Sequence, residues 1–137
     1  MKIYIAASYP RKEEAKFLAD TLTNRHNEIV SGWILRDEGY ISDDRIESKA
    51  QKFDRMQSAA IMDAKDIKEC DILICFTDGR EQLTYGGRHT ELGMAMALEK
   101  YVAIIGERES VFHYFPGVKV FRGISEKLFD WIANVAS

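Results

Sequence analysis

The chain has 137 residues, 46% of them hydrophobic and 30% charged, with a net charge of −3. That size and composition predict one globular domain, residues 1–137, with a core of its own. The acidic balance excludes a dedicated binder of nucleic-acid polymers, which would be basic. No apolar run reaches membrane-spanning length, so no membrane partner is expected. The N-terminus enters a strand directly, without a signal-peptide pattern. Cys70 and Cys75 lie around and within one apolar strand, poorly placed to bond each other. They read as reduced core thiols, which suits a cytoplasmic protein.

Residues 2–7 (KIYIAA) read as a buried strand. Ser8 and Pro10 then suit a helix start, and a helix is predicted over residues 10–24. Its apolar stripe is Ala15, Phe17, Leu18 and Leu22. Residues 28–35 (EIVSGWIL) are predicted as the second strand and residues 36–47 as a polar loop. A long helix follows over residues 48–69, and then a strand over residues 71–76. Residues 77–87 read as a loop, 88–100 as a helix and 101–105 as a strand. A loop over 106–117 carries an aromatic run, which suits a subunit contact, a lid or ordinary core. A short strand over 118–121 and an amphipathic helix over 124–135 close the chain.

Strands alternate with helices throughout, and the apolar strands suit a parallel sheet covered on both faces. The prediction is a three-layer α/β sandwich, flavodoxin- or Rossmann-like, with a five-stranded parallel sheet in the order 2-1-3-4-5. Such sheets bind ligands beyond the carboxyl ends of the strands, at the switch between strands 1 and 3. Those ends are residues 7–11 and 77–87.

The stretch Tyr85-Gly86-Gly87-Arg88-His89-Thr90-Glu91-Leu92-Gly93 falls at this switch. Gly86 and Gly87 let the main chain approach a ligand with no Cβ in the way. Glu91 is expected in the first helical turn, where the helix end favours an ionised carboxylate. A carboxylate beside a glycine-lined pocket is a candidate nucleophile. Asp63 shares a helical stripe with Met56, Ala60 and Ile67, so it either faces a site or is a hydrogen-bonded structural acid. Asp66 lies off that stripe and reads as solvated. Tyr4 sits mid-strand, and its hydroxyl needs a partner when buried; Glu91 or a water would serve.

Ala7, Ser8, Arg11 and Lys12 stand where the first strand meets the first helix. A hydroxyl and two cations at a helix start suit a phosphate or carboxylate, although such groups are also common surface residues. Trp33 and Arg36 are expected at the carboxyl end of strand two, the aromatic for stacking on a base and the arginine for a carbonyl edge or phosphate. His89 lies two residues before Glu91. No metal-ligand spacing and no Walker-type loop is present, so neither metal nor cofactor is expected.

Three features together resemble the nucleoside 2-deoxyribosyltransferase superfamily: the opening Ile3-Tyr4-Ile5-Ala6-Ala7, Asp63 ahead of Cys70-Asp71-Ile72-Leu73, and the turn Gly87-Arg88-His89-Thr90-Glu91-Leu92-Gly93. The resemblance covers about residues 2–122. It is closest to the nucleotide-hydrolysing members, the 2′-deoxynucleoside 5′-phosphate N-hydrolases and cytidylate N-glycosidases. It implies that Glu91 attacks the anomeric carbon, that Asp63 assists protonation of the base or contacts the sugar, and that Tyr4 orients Glu91. It also implies a homodimer or higher homo-oligomer acting on a small nucleoside or nucleotide. Glycosidic cleavage through an oxocarbenium-like state does pair an ionised carboxylate with a proton donor, and desolvation could keep Asp63 protonated.

The transferases carry an acidic residue where this chain has Tyr85, and a C-terminal extension where this chain ends soon after Trp131. Both departures point to an N-hydrolase of nucleoside 5′-monophosphates. Base exchange by a deoxyribosyltransferase and non-catalytic nucleotide sensing are the alternatives. A phosphoribohydrolase of the lysine-decarboxylase-like family fits less well, because its glutamate lies further from the glycine turn.

Overall fold

The computed structural model describes residues 1–36, 46–77 and 86–137. The sheet has five parallel strands: β1 (Lys2–Ala6), β2 (Glu28–Ile29), β3 (Ile72–Phe76), β4 (Tyr101–Ile105) and β5 (Lys119–Phe121). Their order is 2-1-3-4-5, as the alternation predicts. The register pairs Tyr4 with Leu73 and Leu73 with Val102. Among the described residues four helices cover the sheet: α1 (Lys12–Asn24), α2 (Lys49–Glu69), α3 (Gly87–Ala97) and α4 (Glu126–Ala136).

Side chains alternate across a strand, so each strand feeds two cores. Ile3, Ile5, Ile72, Ile74 and Ala103 meet Leu18 and Leu22 of α1 and Leu128 and Ile132 of α4. Tyr4, Ala6, Leu73, Cys75 and Ile104 meet Ile67 of α2 and Leu92 and Ala95 of α3. Cys70 and Cys75 are buried free thiols. Among the described residues no helix is long and apolar enough to cross a membrane.

The second strand is much shorter than the sequence predicts, and the reason lies in β1. Val30 N–H still donates to the Ile3 carbonyl at 2.9 Å. Beyond it, Ile5 N–H donates to the Ser31 hydroxyl at 3.1 Å, and the Ile5 carbonyl accepts from the Trp33 indole at 2.7 Å. Side chains replace the ladder, so the backbone is free to turn as a 3-10 segment over Gly32–Ile34. The Ser-Gly pair inside EIVSGWIL is the turn signal that marks this place.

Other boundaries shift for local reasons. α1 is preceded by a 3-10 turn, Tyr9–Arg11, with Pro10 in its first turn; Ser8 makes no side-chain cap. Phe17 points to solvent at 63% exposure and drops out of the predicted stripe. On α2 the predicted stripe is only partly shielded: Ile67 is buried and Ala60 exposed. α2 opens on a capping box, in which Ser48 accepts from Gln51 N–H and Gln51 from Ser48 N–H. α3 stops at Ala97, short of residue 100, because Glu99 takes a positive φ of 59° and Lys100 N–H returns to the Ala95 carbonyl. Within the loop after β4, Val111–Tyr114 forms a 3-10 turn. The predicted loops over 36–47 and 77–87 fall largely on residues 37–45 and 78–85, outside the described residues, and Tyr85 with them.

Candidate active site

Tyr4 points from β1 toward the α2–α3 side of the sheet and is fully buried. On that side α3 supplies Glu91 and α2 supplies Asp63 and Asp66. The four groups form one electrostatic cluster. The Tyr4 hydroxyl is held well above its ordinary acidity range, first by burial, then by the negative charges of Glu91 and Asp63. The Glu91 carboxyl is pushed up to about 8, first by burial; Asp63 raises it further, while the Tyr4 hydroxyl and Arg36 act the other way.

This overturns one expectation. α3 begins at Gly87, so Glu91 lies just past the first turn, which contains no acid. The dipole effect fades within that turn. Desolvation therefore outweighs it, and the resting carboxyl is mostly neutral near pH 7. The Tyr4 hydroxyl and Glu91 Oε2 are both buried and neither completes a hydrogen bond of good geometry, although they are close enough for the phenol to bear on the acid. Buried polar atoms are nearly always hydrogen-bonded, so these two stand out among the described residues.

Asp63 is engaged by Arg36 in an ion pair. An opposite charge at this range favours the ionised form of a carboxyl. Asp66, read as solvated from its spacing, is also engaged: its Oδ2 accepts Gly32 N–H at 3.1 Å and lies 3.8 Å from Arg36 Nη1. The signal was there, since Asp66 follows Asp63 by three residues and so shares its side of α2.

Gly86 caps α3 in the left-handed region, at φ 89°, and Gly87 opens the helix. Among the described residues a Cβ at either position would meet nothing within 4 Å. At Gly86 it is the backbone angle that requires glycine. Ala7 and the buried Ser8 follow the carboxyl end of β1. Arg11 reaches across the switch to the Thr77 carbonyl at 2.7 Å, and its other donors hold Glu14 at 2.7 and 3.1 Å. Trp33 is half-buried with its N–H committed to the Ile5 carbonyl. It stands on the 3-10 turn and not at the end of a strand, as does the approach to Arg36.

His89 lies beside a second polar cluster. Its Nε2 lies 3.8 Å from Glu109 and its ring 5.4 Å from that of His113. Arg88, Glu109 and His113 form a buried polar cluster against the start of α3, none of which spacing singled out. Arg88 pairs with Glu109 at 3.3 Å, and Glu109 N–H donates to His113 Nδ1 at 2.8 Å. Burial and the neighbouring His89 hold the His113 imidazole below its ordinary value. Among the described residues no group of three His, Cys, Asp or Glu could hold a metal ion.

No protein-family model matches the chain, and no curated protein matches it by sequence. Its fold is similar to that of a solved structure, Clostridium botulinum CMP N-glycosidase, BcmB. The TM-score is 0.56 over 98% of this chain and 99% of that one, at 19% sequence identity. At that identity the likeness establishes a shared architecture along the whole chain.

Proposed function

We propose that this protein cleaves the N-glycosidic bond of a nucleoside 5′-monophosphate and releases the base. The observation that carries this reading is the Tyr4–Glu91–Asp63 cluster at the topological switch, with the Glu91 carboxyl raised to about 8 on the helix that the Gly86–Gly87 turn opens. The fold shared with a CMP N-glycosidase supports the substrate class.

In the proposed reaction an oxygen of the Glu91 carboxylate bonds to the anomeric carbon. The C–N bond breaks, and its electron pair leaves on the base nitrogen. Water then displaces Glu91, its two hydrogens ending on the new sugar hydroxyl and on the base. A desolvated carboxylate is a stronger nucleophile than a hydrated one, and positive charge developing on the sugar stabilises it. Asp63, held by Arg36, accepts a hydrogen bond from a sugar hydroxyl. Tyr4 orients Glu91. Ala7, Ser8 and Arg11 receive the phosphate, which takes the place of Glu14 on the guanidinium; that exchange is cheap because an exposed ion pair contributes little. Trp33 lies against the base, and Gly86, Gly87 and His89 border the sugar side.

The test is base release, followed by chromatography, from a panel of nucleosides and their monophosphates. Free base from monophosphates alone is the expected result, and Glu91→Ala should abolish it while the circular dichroism spectrum is kept. Base exchange only on adding a second base would make the protein a transferase. Binding by calorimetry without base release would make it a nucleotide sensor, and turnover retained in Glu91→Ala would remove the nucleophile.

A further inference from the structure

Arg36 follows the 3-10 turn Gly32–Ile34, and it is held at both ends. Its main-chain carbonyl accepts the Lys12 ammonium of α1 at 2.9 Å, and its N–H donates to the Gly32 carbonyl at 3.2 Å. Its guanidinium meets two acids of α2: Nη2 pairs with Asp63 and Nη1 lies 3.8 Å from Asp66 Oδ2. That same Asp66 oxygen takes Gly32 N–H at 3.1 Å. Gly32 permits the arrangement, since a Cβ there would come within 3.2 Å of both Arg36 Nη1 and Asp66 Oδ2. The side chains of Arg36, Asp63 and Asp66 are 18%, 26% and 20% exposed, so the contacts are sheltered from solvent. An arginine meant to fold over an incoming base would keep its fork open. This one has both terminal nitrogens directed at acids of α2, one of which also holds Gly32 N–H.

We infer that Arg36 is a positioning residue: Lys12 on its main-chain carbonyl and Asp66 beside its guanidinium hold it against Asp63, where it fixes that carboxylate and acts as counter-ion to the Glu91–Asp63 pair, and it is not a ligand of the base or the phosphate. The inference rests on the proposed reading of Glu91 and Asp63 and replaces the substrate contact expected of Arg36 from sequence. Electrostatics agree with the geometry. The groups bearing on Glu91 are Tyr4 from β1, Asp63 from α2 and Arg36 from the turn after β2; burial and Asp63 oppose its ionisation, and Tyr4 and Arg36 favour it. Two acids that act on one another ionise more readily with such a cation beside them.

The experiment compares wild type with Arg36→Gln, Arg36→Lys and Asp66→Asn by two readouts. The first is the titration of the Glu91 carboxyl by carbon-13 NMR, which needs no turnover. The expected result is an upward move of about one pH unit in Arg36→Gln, a smaller move the same way in Asp66→Asn, and partial return in Arg36→Lys. The second is the kcat against KM split with a nucleoside monophosphate. An upward move of that size cuts the ionised fraction roughly tenfold at neutral pH, so kcat falls about tenfold while KM stays within roughly twofold. Asp66→Asn keeps the shape of the group, so it guards against a folding artefact. An unmoved titration in Arg36→Gln overturns the inference, as does a raised KM with unchanged kcat. If the titration moves and no substrate on the panel is turned over, the positioning role stands and the proposed activity fails.

Discussion

Between an ordinary carboxyl value of 4.5 and its buried value of about 8, Glu91 keeps a proton that it would lose in the unfolded chain. The folded state therefore binds more protons than the unfolded state in that window, and stability falls as pH rises through it. The contribution is fully present below 4.5 and is gone above about 8. Tyr4 is also raised, but above its ordinary value of 10.0, so it adds nothing to this window. Glu91→Gln removes the titration and keeps the shape. Relative to wild type, the variant should gain on the order of a few kcal/mol as the pH is taken from about 5 to about 8. Urea denaturation of both proteins at the two pH values measures this. Parallel behaviour of the two would mean that the carboxyl is solvated in the folded state, and the nucleophile would lose its special environment. The same titration shapes activity: kcat/KM should rise toward pH 8 as the carboxylate forms.

At the scale of elements, the helix that carries Glu91 has a buried ion pair in its first turn. Arg88 and Glu109 are 1% and 5% exposed in their side chains, and their ion pair joins the first turn of α3 to the loop after β4. Breaking such a pair by deleting one partner leaves a buried charge alone. Glu109→Ala should cost about 3–5 kcal/mol, read as a lower urea midpoint, with Glu109→Gln losing much less. A loss in Glu109→Ala under about 1 kcal/mol would mean that α3 is held by its apolar face alone. This contact also shows where sequence reading stops. β1, β3 and β4 were legible because parallel strands buried on both faces are continuous apolar runs. The closeness of Tyr4, Asp63 and Glu91 was legible because the strand order puts the ends of β1 and β3 side by side. The long second strand was misread because Ser31 and Trp33 satisfy Ile5 with side chains, which hydrophobic pattern does not record. Arg88 was passed over because its partner lies far along the chain and a lone arginine reads as solvated. The roles of Arg36 and Asp66 depended on the turn that the misread strand concealed.

For the whole molecule, the two cores divide the work. The face covered by α1 and α4 is apolar throughout its buried set, from Ile3 to Ile132. The face covered by α2 and α3 includes the Tyr4 side chain, and it is there that Glu91, Asp63 and Arg36 come together. The polar site is thus set into the folded architecture and does not exist in the unfolded chain. A ligand of that site binds only the folded state and must raise its stability by mass action. With Glu91→Ala used to prevent turnover, a nucleoside monophosphate at about a hundred times its Kd should add about 2.7 kcal/mol, a rise of roughly 10 °C in Tm for a domain of this size. The free nucleoside at the same concentration should give a smaller rise. Adding Arg11→Ala should bring the two ligands level, because the guanidinium at the end of β1 is the group that would exchange Glu14 for the phosphate. Equal rises from nucleoside and monophosphate before Arg11 is changed would remove the phosphate subsite, and no rise from any nucleotide would remove the substrate class itself.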